Sequence, residues 1–203
     1  MKGIKIVGKI LAWAITIVVI LFVILLAVIW FNSSGKLEHI TDASGQEISA
    51  GISEKVYLDI NGTKQGMFLR GEDKDKPVLL FLHGGPGSPE LAMGYKIEDK
   101  NARLEQEFVV CYWDQRGAGM SYSSDIDINT MTPEQFVEDA KEVTTYLQAR
   151  FNQEKIYLLG HSWGSYLGIK TIEKYPELYH AFMGVGQVSD QTDRKSTRLN
   201  SSH

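Results

Sequence analysis

The sequence contains a single cysteine, Cys111, among its 203 residues, so no disulfide can form within the chain. Cys111 stands in an apolar run typical of a β-strand, and we interpret it as a small buried hydrophobic residue rather than a catalytic thiol. Basic residues are not concentrated outside the two ends of the chain, and the formal net charge is -4. We therefore expect no nucleic-acid partner.

Charged residues are absent from one long segment near the amino terminus. Residues 10–31 contain no charge and consist mostly of Ile, Leu, Val and Ala. A helix of this length spans about 33 Å, enough to cross a hydrocarbon core of about 30 Å. Trp13 and Trp30 lie near its two ends, where membrane interfaces favour aromatic residues. We predict a transmembrane anchor over residues 10–31 and contact of this segment with a lipid bilayer.

A cleavable signal peptide is the alternative for this segment. The apolar region of a signal peptide is normally about 7–15 residues long and ends at a small-x-small cleavage site. The run in this chain is longer, and it ends in the bulky residues Ile29, Trp30 and Phe31. An uncleaved anchor fits these features better.

The residues on either side of the apolar segment predict its orientation and the domain organisation. Residues 1–9 contain three lysines and no acid. The positive-inside rule then places this basic segment in the cytoplasm and the rest of the chain outside the cell membrane. Residues 32–53 are polar and rich in Ser and Gly, and we interpret them as a linker. Residues 54–192 are predicted to form a partial α/β domain.

Apolar runs separated by turn residues predict six strands and two long helices in that domain. Asn61-Gly62 is typical of a two-residue hairpin turn between the first two strands. Thr132, followed by proline, is typical of a helix start. The predicted strands cover residues 55–60, 63–70, 78–83, 108–113, 155–159 and 179–188, and the predicted helices extend to residues 151 and 175.

One apolar run ends abruptly in Gly-x-Ser-x-Gly, with Ser162 at its centre and a helical pattern after it. A strand-to-helix turn that exposes a nucleophilic serine requires small flanking residues, because the central residue takes a strained backbone conformation. Gly160 and Gly164 meet this requirement. The alternative is a glycine-rich turn in which Ser162 only caps the following helix.

The third predicted strand ends in residues 83–87, His-Gly-Gly-Pro-Gly. Three glycines and a proline leave bare backbone at a strand end, where N–H groups can point at a developing oxyanion. An ordinary tight turn is the alternative, but the presence of the serine motif favours an oxyanion loop. We expect His83 to order this loop through hydrogen bonds rather than to act as a base. His180, at the start of the sixth strand, is expected to be packed or exposed and not catalytic.

Residues 114–121, Asp-Gln-Arg-Gly-Ala-Gly-Met-Ser, follow the fourth predicted strand. We expect this loop to be held by an internal ion pair between Asp114 and Arg116. It would support the site without taking part in the chemistry.

The motifs at residues 83–87, 114–121 and 160–165 occur in this order, and together they resemble the proline iminopeptidase family of α/β-hydrolases, above all its membrane-anchored bacterial members. The resemblance covers about residues 53–189. It implies an α/β fold with a mostly parallel sheet and helices on both faces. It also implies that Ser162 is the nucleophile and that the N–H groups of Gly85 and Trp163 form the oxyanion hole. The supporting loop residues would be His83, Gly84, Pro86, Gly87, Asp114, Arg116, Gly160 and Gly164.

The resemblance implies a peptidase that acts on a small peptide or ester through an acyl-serine intermediate, with no metal and no cofactor. The sequence departs from the family at His161, where the peptidases usually have Gly, and at Ser88, where a further Gly is common. A membrane-associated esterase or lipase-type hydrolase and an inactive fragment are the alternatives.

A serine nucleophile of this fold is followed along the chain by an acid and then by a histidine. In the family both follow the sixth strand and a helical cap, whereas 15 residues follow Val188 in this sequence. We therefore expect the chain to lack the cap, the last strands and the two triad partners. Residues 193–203 resemble a translated sequencing adapter and are interpreted as non-native, with a native disordered tail as the alternative. His203 is therefore not assigned to the triad.

Overall fold

The computed structural model describes residues 2–32, 39–42, 44–89 and 104–188. The predicted tail at 193–203, and residues 33–38 and 43 of the predicted linker, lie outside the described residues. The chain divides into two compact units, Met1–Leu37 and Glu38–His203.

The first unit contains one long helix, α1 (Lys2–Asn32). Within it, Gly8–Phe31 has a mean hydropathy of 3.2, and none of this segment is buried in the protein. A helix that is apolar on every face and exposed along its length is typical of a membrane span. By length and composition α1 can cross a bilayer, although a signal sequence has the same properties.

The second unit is built on a six-stranded sheet in the order β1-β2-β4-β3-β5-β6. The strands are β1 (Ile52–Ile60), β2 (Thr63–Gly71), β3 (Val78–Leu82), β4 (Val109–Trp113), β5 (Ile156–His161) and β6 (Tyr179–Val185). Strands β3 to β6 run parallel, whereas β2 pairs antiparallel with both β1 and β4. The prediction of a mostly parallel sheet is confirmed.

The turn between β1 and β2 agrees with its sequence. Ile60 lies opposite Thr63, which leaves two residues in the loop. Asn61 has a φ of 46° and Gly62 a φ of 74°. Positive φ at both central residues is typical of the hairpin turn that Asn-Gly favours.

Two predicted strand limits differ from the structure by three residues, and the others agree within one or two residues. Strand β1 begins at Ile52, so Ile52 and Ser53 belong to the sheet and not to the linker. Strand β6 ends at Val185 rather than at Val188. It ends there because Gly186 has a φ of 58°, which turns the backbone out of the extended conformation.

Two helices, α2 (Pro133–Phe151) and α3 (Trp163–Lys174), pack against one face of the sheet in the larger apolar cluster. The Thr132 hydroxyl accepts the Gln135 N–H at 3.2 Å, which caps α2 as predicted. Cys111 is fully buried in this cluster, and burial raises the pKa of its thiol, so the expectation of a buried cysteine is confirmed. A second apolar cluster lies on the opposite face, where the strands contribute Leu79, Phe81, Val110, Tyr112 and Leu159.

The parallel strands bring the three sequence motifs together. Strands β3, β4 and β5 are neighbours in the sheet and run in the same direction. Their carboxyl ends therefore lie at one edge, where α/β folds commonly form their sites. The loops after these strands carry residues 83–87, 114–121 and 162.

Candidate active site

Ser162 occupies the sharp turn between β5 and α3 with φ 52° and ψ -115°. Non-glycine residues rarely adopt positive φ, and such strain persists only where the surroundings hold it. The Ser162 N–H donates to the Val185 carbonyl oxygen at 2.8 Å, which ties the turn to the end of β6. The residue is half-buried at the amino terminus of α3.

The glycines on either side of Ser162 are required by packing. A Cβ atom on Gly160 would overlap the Gly164 carbonyl oxygen and lie 2.8 Å from the Ser165 Cα. A Cβ atom on Gly164 would overlap the Leu82 carbonyl oxygen. The first turn of α3 therefore sits directly on the ends of β5 and β3, and no larger residue fits.

Ser165 is a supporting residue that the sequence analysis did not assign. Its hydroxyl donates to the Ser162 carbonyl oxygen at 2.6 Å and accepts the Val188 N–H at 2.9 Å. It thereby fastens the residues after β6 to the turn. The sequence could have indicated this role, because Ser165 lies three residues after Ser162 and therefore on the same side of the first helical turn.

The glycine-rich loop after β3 lies against Ser162. A Cβ atom on Gly84 would be 3.4 Å from the Ser162 Cβ, so the backbone of this loop approaches the serine closely. Gly85 and Gly87 have φ values of 116° and 94°, and the peptide bond between Gly85 and Pro86 is cis. These φ values need glycine at both positions.

The two backbone N–H groups of the expected oxyanion hole have no protein acceptor within the described residues. Within the described residues, the N–H groups of Gly85 and Trp163 donate to no protein group, and the Ser162 hydroxyl has no hydrogen-bond partner. Trp163 is the first residue of α3, where free N–H groups and the helix dipole favour negative charge. Both N–H groups are therefore able to bind an anionic oxygen.

His83 is buried and has both ring nitrogens engaged. Its Nδ1 lies 2.8 Å from the Gly84 carbonyl oxygen, and its Nε2 accepts the Gln115 N–H at 3.1 Å. Burial lowers the pKa of the ring. Because Nε2 already accepts a hydrogen bond, His83 cannot take a proton from Ser162 in this arrangement.

The predicted ion pair between Asp114 and Arg116 was wrong. Arg116 pairs instead with Asp139 of α2, with Nε 2.7 Å from Oδ2 and Nη2 2.9 Å from Oδ1, and both side chains are buried. The Asp114 carboxylate turns into its own loop and accepts the Met120 N–H at 2.7 Å. Burial raises the pKa of Asp114.

Asp139 is the centre of a buried network that the sequence analysis missed. Besides Arg116, its carboxylate accepts hydrogen bonds at 2.8–3.0 Å from Asn61, Gln65 and Gln135. The sequence could have indicated this network, because Asp139 lies on the apolar face of α2, three residues after Phe136. A buried carboxylate requires charged or polar partners.

Two further histidines, His161 and His180, make no hydrogen bond to Ser162 within the described residues. His180 is exposed, and its ring is 5.2 Å from that of Tyr157. Both residues lie at the amino ends of β5 and β6, whereas Ser162 follows the carboxyl end of β5. His161 is exposed beside Gly84 and Gly186. Among the residues that the structure describes, no histidine bonds to the Ser162 hydroxyl, and no three His, Cys, Asp or Glu side chains are grouped to hold a metal ion.

Solved structures share this architecture. The proline iminopeptidase-related protein from Thermus thermophilus matches with a TM-score of 0.56 and 21% identity, over 73% of this chain and 56% of that one. The chain has the α/β-hydrolase fold.

Sequence relatives of this chain have peptidase names. Residues 96–193 match the family described as serine aminopeptidase, S33. A probable aminopeptidase, YbaC, from Bacillus subtilis is 44% identical over 140 residues, which are 69% of this chain and 43% of that protein. A proline iminopeptidase from Lactobacillus acidophilus is 36% identical over 99 residues, 49% of this chain and 31% of that protein. The chain thus spans less than half the length of these relatives.

Proposed function

We propose that Ser162 is the nucleophile of a serine hydrolase. Its hydroxyl oxygen attacks the carbonyl carbon of a peptide or ester, the amine or alcohol leaves, and the acyl group stays on Ser162 until water releases it. The observation that carries the proposal is the strained backbone of Ser162 at the amino terminus of α3, with glycine required on both sides. A serine that only caps a helix needs neither feature.

The oxyanion hole of this hydrolase is formed by the N–H groups of Gly85 and Trp163. Both are free of protein acceptors in the described part of the chain, and the Gly84 backbone lies against the Ser162 side chain. Two such donors stabilise the tetrahedral intermediate. Loss of one donor of this kind typically lowers turnover by about 100- to 1,000-fold.

The general base of this hydrolase and its orienting carboxylate lie outside the described residues. His83 and His180 are excluded as bases by the contacts given above, and His161 makes no hydrogen bond to Ser162 within the described residues. A chain without these partners is expected to turn over substrate about 10⁴- to 10⁶-fold more slowly than the complete enzyme.

The names of the relatives support the proposed substrate class. Their names support a peptidase that releases an amino-terminal residue, with proline preference as the finer possibility. A membrane-associated esterase is the second candidate, because α1 is long and apolar enough to span a bilayer.

Acylation of Ser162 tests the proposal directly. We expect p-nitrophenyl acetate to transfer its acetyl group to the Ser162 oxygen, with p-nitrophenolate as the leaving group and added imidazole as the proton acceptor. Mass spectrometry of the digested protein locates the adduct. The Ser162→Ala variant must lose it and the Ser124→Ala variant must keep it. An adduct that is absent from Ser162, or independent of it, contradicts the proposal.

A further inference from the structure

Gln115 connects the two halves of the proposed oxyanion hole. It follows β4 closely and is 1% exposed. Its side-chain Nε2 donates to the His83 carbonyl oxygen at 3.1 Å, and its Oε1 accepts the indole N–H of Trp163 at 3.0 Å. One buried amide therefore joins the root of the Gly85 loop to the residue after the nucleophile.

The orientation of this amide is fixed by its partners. An indole N–H only donates and a carbonyl oxygen only accepts, so the Gln115 oxygen must face Trp163 and its nitrogen must face His83. The Gln115 backbone N–H also donates to Nε2 of His83. Nδ1 of His83 then carries the proton and donates to the Gly84 carbonyl oxygen. The chain of donors and acceptors is complete from Trp163 to Gly84.

The Trp163 ring is also held by packing. It is 5% exposed, and its ring centroid lies 5.8 Å from that of Phe136 and 5.5 Å from that of Tyr166. Packing confines the plane of the indole, while Gln115 is its hydrogen-bond partner. Oxyanion donors must be held about 2.7–3.1 Å from the developing charge, so small displacements of either donor weaken them.

We propose that Gln115 is a positioning residue that sets the separation of the Gly85 and Trp163 N–H groups. It acts through His83 and Trp163 and does not touch the substrate. The inference rests on the proposed function, because this separation affects a rate only if the two groups bind an oxyanion.

The protein offers a matched control for Gln115. Gln65 is also buried, accepts the indole N–H of a tryptophan, Trp113, at 3.0 Å, and donates to an oxygen of Asp139 at 2.9 Å. Its bonds join β2 to β4 and α2, away from the glycine-rich loop. The Gln115→Met and Gln65→Met variants each lose a buried acceptor for an indole N–H and the donor bonds of the same amide, including that from Gln65 to the Thr63 hydroxyl, and only the first variant concerns the oxyanion hole.

The test compares imidazole-assisted acylation of Ser162 by p-nitrophenyl acetate in the full chain. We expect Gln115→Met to lower the acylation rate constant at saturating ester by about 10- to 100-fold. The ester concentration at half saturation should stay within about two-fold, because the bound ester carries no oxyanion yet. Gln65→Met should keep the wild-type rate constant even where it lowers the melting temperature.

Gln115→Glu is the second variant, for use if Gln115→Met does not fold. It keeps an acceptor for Trp163 but, when ionised, cannot donate to the His83 carbonyl oxygen, so its acylation rate constant should also fall. A wild-type rate constant in whichever Gln115 variant folds, or an equal loss in Gln65→Met, overturns the role of Gln115 alone. Absence of acylation in the wild-type chain overturns the proposed function and this inference with it.

Discussion

Ser162 adopts a backbone conformation that costs on the order of 1–3 kcal/mol for a non-glycine residue. Its neighbours hold this conformation. The Ser162 N–H bonds to Val185, the Ser165 hydroxyl bonds to the Ser162 carbonyl oxygen, and the glycines at 160 and 164 let α3 approach the sheet. The strain is thus supported by contacts from β6 and β3, which places Ser162, the proposed nucleophile, on rigid elements.

The packing at Gly164 predicts a stability loss. A Cβ atom there would overlap the Leu82 carbonyl oxygen and lie 2.8 Å from that of His83, and these backbone atoms of β3 cannot move independently. We expect Gly164→Ala to lower the free energy of unfolding by about 3 kcal/mol in a urea titration. Gly184→Ala is the control, since its nearest neighbour is the flexible Gln187 side chain at 3.3 Å. Equal urea midpoints for the two variants would show that the packing argument is wrong.

The burial of His83 predicts a dependence of stability on pH. Burial lowers its pKa below the ordinary value of about 6.5, so the unfolded chain binds the proton first as the pH falls. The contribution of neutral His83 is therefore complete above about pH 6.5 and is lost as the pH falls below it toward the folded-state pKa.

Urea unfolding at about pH 7.5 and about pH 5.5 measures this effect. His83→Gln should reduce the loss of stability between the two values. His180→Gln, which removes an exposed ring, should keep the wild-type loss. A loss that is the same in all three proteins would contradict the assignment to His83.

At the scale of elements, local chemistry explains which parts the sequence predicted. The Asn61-Gly62 turn and the Thr132 cap were found because each depends on residues adjacent in sequence. The partner of Arg116 was not found, because Asp139 lies on α2 and the sequence offers 25 acidic residues. The glycine motifs located the edge of the sheet that carries Ser162. The hydrogen bonds of Gln115 join the loops after β3 and β4 to α3, and no pattern of neighbouring residues in the sequence predicts them.

The buried ion pair predicts strong coupling between α2 and the loop after β4. We expect Arg116→Met to lower the free energy of unfolding by about 3–5 kcal/mol, because Asp139 would stay buried without its cation. Lys170→Met is the control: it breaks an exposed pair with Glu173 and should cost less than about 1 kcal/mol. Chemical denaturation of both variants measures the difference. If Arg116→Met lowers the free energy of unfolding no more than Lys170→Met does, the buried network does not contribute to stability as proposed.

The two units of the molecule differ in whether their apolar residues are exposed or buried. The unit Met1–Leu37 contains an exposed apolar helix, whereas Glu38–His203 buries its apolar residues in two clusters on either face of a sheet. The second unit thus has a core of its own, and α1 remains apolar on its outside. Water does not favour such a helix, so a lipid or detergent surrounding is the expected environment of α1.

Expression of the chain in bacteria tests the membrane anchor. We expect the full chain in the membrane fraction after an alkaline carbonate wash, with Met1 retained in its intact mass. An Ile20→Arg, Val23→Arg double variant should move to the soluble fraction, since each arginine costs about 2.5–3.5 kcal/mol at the centre of a span. The Ile20→Leu, Val23→Leu variant is the matched control and should stay with the membrane. A shortened soluble protein would instead identify Gly8–Phe31 as a cleaved signal sequence. Protease added to spheroplasts should degrade the unit Glu38–His203, because the lysines before the span predict that this unit lies outside the cytoplasm.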